Sequence, residues 1–193
     1  MIHQIFPTQI GTYSIDLDKE LINSVMQEYN VGPMKVLDNG NTSYAFTPIG
    51  ERPSISDFFL QHQKLQYLLQ DIYSKLHDYT NSLELEPCML SNSWFNRMDS
   101  GGSVRMHRHT GSVVSGALYI DAPDNSSPLV FTDPLNNCRM MELSRANNFH
   151  YEVNIYEGLL VLFPSWLMHE TFPQENPRTV ISFNTYHALS TSF

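Results

Sequence analysis

Apolar and polar positions follow two different rhythms along this chain. From Leu17 to Tyr29 the apolar residues Leu17, Leu21, Ile22, Val25 and Met26 recur at helical spacing, which predicts an amphipathic helix stopped by Asn30-Val31-Gly32-Pro33. A longer helical pattern runs from Ser54 to about Tyr79, with Phe58, Phe59, Leu65, Leu68, Leu69, Ile72, Tyr73 and Leu76 on one side. Ser54 or Ser56 is its candidate cap. Residues 2–16 alternate loosely and suit one or two strands, and Asp38-Asn39-Gly40-Asn41 reads as a surface loop. Past Leu83 the helical period gives way to short β-rich runs separated by Gly, Pro, Asn and Asp clusters. They are Met89–Arg97, Ser103–His109, Ser115–Asp121, Leu129–Thr132, Arg139–Leu143, His150–Asn154, Gly158–Phe163, Met168–Phe172 and Thr179–His187. Turn signals every ten or so residues predict a sandwich or jelly-roll barrel, with the long helix braced against the outside of a sheet.

The architecture expected is mainly β with N-terminal helices, in one domain over residues 1–193. Residues 1–82 form an α/β support region and residues 83–193 a jelly-roll, cupin-like core. The change near residue 83 is one of texture, because nothing there resembles a flexible linker.

Composition narrows the partners. Hydrophobic residues make up 41% and aromatics 12% of 193 residues, enough for a packed core. The formal net charge of −9 and pI near 5.2 argue against a broad grip on duplex nucleic acid, which needs a basic face. Arg97, Arg105, Arg108 and Arg178 nevertheless gather in one region of the sequence. Cys88 and Cys138 match no zinc or redox spacing and read as free buried thiols of a reducing compartment. With no signal-peptide pattern and no apolar run near ~20 residues, the expectation is a soluble cytoplasmic protein without a membrane partner. A homodimer stays open.

The candidate chemistry centres on His107-Arg108-His109. In a strand, residues i and i+2 share a face, so these imidazoles would project together, and His169 could supply a third from another strand. Neutral imidazole suits Fe, Zn, Cu or Ni, and a three-ligand site leaves positions open for substrate and O2. Arg178 opens the last strand, with Val180, Ser182 and Asn184 on one face and Thr179, Ile181 and Phe183 on the other. A guanidinium backed by the Ser182 hydroxyl suits capture of a carboxylate.

The residues Asn96, Gly101, His107-x-His109, Ser115-Gly116-Ala117-Leu118-Tyr119, Phe163-Pro164-Ser165-x-Leu167-x-His169 and Arg178…Ser182-Phe183-Asn184 together resemble the 2-oxoglutarate and Fe(II)-dependent oxygenases. The likeness is strongest to a small branch found in marine bacteria and their phages, and covers roughly residues 90–187. It implies a double-stranded β-helix, with Fe(II), 2-oxoglutarate and O2 as cofactor and cosubstrates. It implies that His107 and His169 ligate iron, that Arg178 binds the distal carboxylate of 2-oxoglutarate, and that Tyr119 and Asn96 contact the cosubstrate. The family triad usually carries a carboxylate where His109 stands, but members of the small branch often show His-x-His, so the resemblance favours a three-histidine site, with Asp121 or Asp133 the competing ligand. Arg105 and Trp166 are candidate substrate contacts, although Trp94 and Trp166 also read as packing and Arg105 as one half of a structural ion pair.

Three functions compete. A hydroxylase of a small-molecule or peptidyl substrate, releasing succinate and CO2, needs the histidines and Arg178 alike. A cupin-type three-histidine dioxygenase without a 2-oxo acid would be indifferent to Arg178. A non-catalytic jelly-roll module would hold no metal.

Overall fold

The structure, a computed structural model, describes residues 7–37, 41–48, 59–135 and 149–188, with the backbone alone described for 29–48. The first helix, α1, spans Lys19–Gln27. It starts where the Asp18 carboxylate accepts a hydrogen bond of 3.0 Å from the Leu21 N–H, satisfying one of the donors a helix start leaves free. The predicted stop after it is a strand instead. Residues Tyr29–Leu37 pair antiparallel with Asn41–Pro48, Gly32 opposite Ala45 and Pro33 opposite Tyr44. Gly-Pro obscured this hairpin in the sequence, yet a two-stranded ribbon consists only of edges, where proline is tolerated. Residues 38–40 of the expected loop lie outside the described residues, as do Ser54, Ser56, Phe58, Cys138 and the predicted strand at 139–143.

The second helix, α2, spans Gln66–Ser82 and so starts later than the sequence pattern suggests. Two single-turn 3-10 pieces, Phe59–Gln61 and Gln63–Leu65, precede it. They are separated by His62, whose extended backbone (ψ 133°) lets its ring accept from the Lys64 N–H. That local hydrogen bond competes with helical pairing and delays the helix.

The remaining strands form two facing sheets. Taking the hairpin as β2 and β3, the others are β1 (Gly11–Ser14), β4 (Cys88–Met98), β5 (Val104–His107), β6 (Val114–Asp121), β7 (Leu129–Thr132), β8 (His150–Val153), β9 (Leu159–Pro164), β10 (His169–Thr171) and β11 (Arg178–His187). The larger sheet runs β1-β9-β6-β11-β4 and the smaller β5-β10-β7-β8. Neighbouring strands in both are antiparallel.

The larger sheet is covered on both faces, and alternation along its strands sorts the side chains. Leu118, Leu160, Leu162, Ile181 and Phe183 pack with Leu68, Ile72 and Leu76 of α2. Ala117, Tyr119, Val161, Phe163 and Val180 pack against Leu129, Phe131 and Val153 of the smaller sheet. This is why β6 and β9 read as nearly unbroken apolar runs. At about 25 cal/mol per Å² of apolar area, these two layers are the dominant favourable term in the fold.

A three-histidine centre beside a buried arginine

β5 and β10 are antiparallel neighbours with His107 directly opposite His169. The next pair is Val104 with Thr171, three residues back against two forward, so the register slips between them. The slip turns Val104 and His107 into one cavity and leaves Arg105 and Met106 exposed. β5 ends at His107, so strand alternation does not place His109. Its backbone N–H instead donates to the Ser165 carbonyl at 2.9 Å, in the turn between β9 and β10.

The three rings converge. Their centroids lie 4.2 Å apart for His107 and His169, and 5.1 Å for each pair that includes His109. Each Nδ1 faces an acceptor: the Arg105 carbonyl at 2.8 Å for His107, the Leu167 carbonyl at 2.9 Å for His169, and the Asn184 amide oxygen at 2.5 Å for His109. A ring that donates from Nδ1 is left with a lone pair on Nε2. One ligand atom from each histidine lies within 4.8 Å of the others, and the Nε2 atoms of His107 and His109 are 3.1 Å apart. Two lone pairs at that distance repel unless a cation lies between them. Two nitrogens bound at right angles to one ion at about 2.1 Å would be separated by about 3 Å, so the donor set fits a metal.

Electrostatics point the same way. Burial, followed by the neighbouring His107, holds His169 neutral down to about pH 3. Burial likewise pushes His109 below the usual imidazole range, partly offset by the Asn184 hydrogen bond. Both therefore stand ready as neutral ligands near pH 7. No carboxylate joins them among the described residues. Asp121 pairs with Lys19 at 2.8 Å, and Asp133 accepts from the Leu135 N–H at 2.8 Å to form a local turn.

Arg178 lines the same cavity of about 200 Å³, along with Asn96, Tyr119, Ser182, Val180 and Trp94. It is only 2% exposed. Its NH1 donates to the Ser127 carbonyl at 3.1 Å, its guanidinium carbon sits 5.6 Å from the centre of the Tyr119 ring, and its Nε has no hydrogen-bond partner. Among the described residues no carboxylate pairs with it. Burial lowers its pKa from the ordinary guanidinium value and raises that of Tyr119. A buried charge without an anionic partner costs free energy, which a bound carboxylate would offset. Trp166, half exposed in the β9–β10 turn, and Arg105 lie outside the cavity lining.

Three residues that the sequence offered only as parts of the motif, with no role, belong to the site. Asn184, Ser115 and Ser165 form a polar cluster around His109, with Ser115 Oγ 2.8 Å from both Asn184 Oδ1 and Ser165 Oγ. Their place in the motif was the signal, but the contact with His109 is made only in the folded chain. Trp94 was read as packing, yet its ring lines the cavity 5.9 Å from that of His109.

Comparison with known proteins agrees with this geometry. A family model described as "Putative 2OG-Fe(II) oxygenase" matches residues 92–184, a span holding all three histidines and Arg178. No curated protein matches the chain. Among solved structures, a Pseudomonas putida prolyl-4-hydroxylase superposes with a TM-score of 0.58 at 15% identity, over 93% of each chain. A Trichoplax adhaerens prolyl hydroxylase, solved with a peptide fragment of the hypoxia inducible factor oxygen degradation domain, superposes with a TM-score of 0.61 at 13% identity, over 95% of this chain and 87% of its own. HygX from Streptomyces hygroscopicus, solved with iron bound, superposes with a TM-score of 0.58 at 14% identity, over 94% and 83%. These likenesses establish the double-stranded β-helix fold. Over residues 92–184, just under half of its length, the chain is similar to the 2OG-Fe(II) oxygenases, a family that uses Fe(II), 2-oxoglutarate and O2.

Proposed function

We propose that this protein is a hydroxylase that converts one C–H bond of its substrate to C–OH while 2-oxoglutarate and O2 become succinate and CO2. One oxygen atom of O2 then enters the substrate and the other enters succinate. The observation that carries this reading is the convergence of three imidazole lone pairs in one cavity with a buried guanidinium that lacks a carboxylate. Fe(II) held by His107, His109 and His169 would supply the Lewis acidity and the redox chemistry that activates O2. The chain's own residues position and shield. Arg178 pairs with the distal carboxylate of 2-oxoglutarate, the guanidinium matching a carboxylate in a two-pronged contact. Tyr119 packs beneath that guanidinium, and Asn96 and Ser182 offer polar contacts along the cosubstrate. Leu129, Phe163 and Val180 keep the cavity dry, which strengthens each of these interactions.

Three neutral ligands leave the centre at the full charge of the ion, a favourable match for a cosubstrate dianion. We assign the substrate to the small-molecule or peptidyl class, with Arg105 and Trp166 on its approach. The protein would work in the cytoplasm, where a free, buried Cys88 stays reduced. No helix among the described residues is long and apolar enough to cross a membrane.

The test is anaerobic 2-oxoglutarate binding to the Fe(II)-loaded protein, followed by uncoupled succinate formation in air with ascorbate. Absence of both sinks the proposal. The substitution of a histidine for the usual carboxylate favours one rival, a three-histidine dioxygenase that uses no 2-oxo acid. In that case iron-dependent oxygen uptake would survive Arg178→Ala unchanged.

A further inference from the structure

His107 and His169 each donate from Nδ1 to a backbone carbonyl two residues earlier, an arrangement that no side chain provides. His109 differs. It lies beyond the end of β5, and its Nδ1 faces the side chain of Asn184, 75 residues away on β11. The amide is placed with its oxygen toward the ring. Ser115 Oγ donates to the same Asn184 oxygen at 2.8 Å and lies 3.1 Å from His109 Nδ1. The Ser165 hydroxyl, 2.8 Å from Ser115 Oγ, can donate to it in turn, while the Ser165 carbonyl accepts the His109 backbone N–H at 2.9 Å. With that placement, Ser165 donating to Ser115 and Ser115 donating to Asn184 form one consistent chain, in which His109 Nδ1–H fills the second lone pair of the amide oxygen. With the amide reversed, its NH2 would face Nδ1, the ring proton would move to Nε2, and His109 could not ligate.

We propose that Asn184 is the positioning residue that makes His109 a metal ligand, by fixing its tautomer with an acceptor that carries no charge. This inference rests on the metal-centre reading above. A carboxylate at 184 would fix the same tautomer, but it would place a negative charge beside the ligand. The amide keeps the ligands and all three of their hydrogen-bond acceptors neutral, so the ion keeps its full charge toward a dianionic cosubstrate. Acceptors behind metal-bound histidines set ring orientation and ligand basicity in this way.

The experiment titrates metal-stripped protein with Zn(II), a redox-inert probe, by calorimetry, and records the imidazole N–H protons of the Zn(II)-loaded protein by NMR. Asn184→Ala should weaken Zn(II) binding by about 10- to 100-fold, the usual effect of losing such an acceptor. It should also abolish the exchange-protected Nδ1–H signal of His109 while those of His107 and His169 persist, a selectivity that general loosening of the fold would not show. Asn184→Asp, equal in size, should retain or strengthen Zn(II) binding and weaken 2-oxoglutarate binding to the Zn(II)-loaded protein. It keeps the test readable should the alanine variant fail to fold. An alanine variant that binds Zn(II) like the parent and keeps the His109 signal overturns the positioning role. An aspartate variant that binds 2-oxoglutarate as tightly as the parent overturns the role of its neutrality. A parent that takes up no Zn(II) at all overturns the metal-centre reading along with the inference.

Discussion

Arg178 is placed as a residue would be that served a ligand at the expense of the fold. Its guanidinium is buried, makes one hydrogen bond to the Ser127 carbonyl, and leaves Nε unpartnered. Replacing a buried charge with an apolar side chain of similar volume is often neutral or stabilising by about 1–4 kcal/mol. Arg178→Met is therefore expected to raise the melting temperature of the metal-free protein, retain Zn(II) binding and lose 2-oxoglutarate binding. Melting curves and calorimetry on one preparation check all three, and a clear drop in melting temperature would show that the arginine stabilises the empty fold. His169 makes a second prediction. Burial and His107 hold its folded pKa down at about 3, whereas an unfolded imidazole titrates near 6.5. Between those values the unfolded chain binds a proton that the folded one refuses, so stability falls as the pH drops through that window. Urea unfolding of metal-stripped protein should show decreasing stability below about pH 6.5. His169→Gln should flatten that slope.

Among the elements, the strands from residue 88 onward were legible because their alternation and punctuation are local properties. The Leu129–Thr132 run coincides with β7, and β4, β6, β9 and β11 each fall within a residue of the expected bounds. The β2–β3 hairpin and the 3-10 pieces before α2 were not legible. The hairpin depends on a second strand outside the local window, and the 3-10 pieces on a side-chain hydrogen bond, from the Lys64 N–H to the His62 ring, that apolar periodicity does not report. Gly116 was quoted as part of a motif, but its function is visible only in the sheet. It lies opposite Phe183 across β6 and β11, and a methyl group at 116 would fall inside the Phe183 ring. That ring is fully buried in the layer under α2, so it has little room to move. Overpacking of this kind costs about 1–3 kcal/mol or more. Gly116→Ala should lower the urea midpoint accordingly, and Gly116→Ala with Phe183→Leu should recover part of the loss.

Across the whole molecule, two couplings hold the site and fold together. The first is metal linkage. The three histidines come from β5, the segment after it, and β10, so an ion held by all three would bind the folded state alone, and saturation at about 100 times Kd would add about 2.7 kcal/mol of stability. Chelation should lower the melting temperature, and His107→Ala should abolish the difference between loaded and stripped protein. The second is the packing of the N-terminal part. β1 forms the edge of the larger sheet beside β9, and α2 shares one apolar layer with β4, β6 and β11. We therefore expect a fragment of residues 83–193 to expose that layer and aggregate, as gel filtration would show. The sequence alone determined what periodicity and side-chain chemistry can carry: a β-rich core behind helices, three candidate imidazole ligands and a candidate carboxylate anchor. Tertiary structure decided what depends on long-range neighbours. It placed His109 through Ser165 and Asn184 rather than through strand alternation, turned Arg105 outward through a slipped register, and engaged Asp121 and Asp133 elsewhere. Spacing along a chain shows which groups can meet, but the orientation of a ring or a guanidinium follows from hydrogen bonds closed by residues far away in sequence.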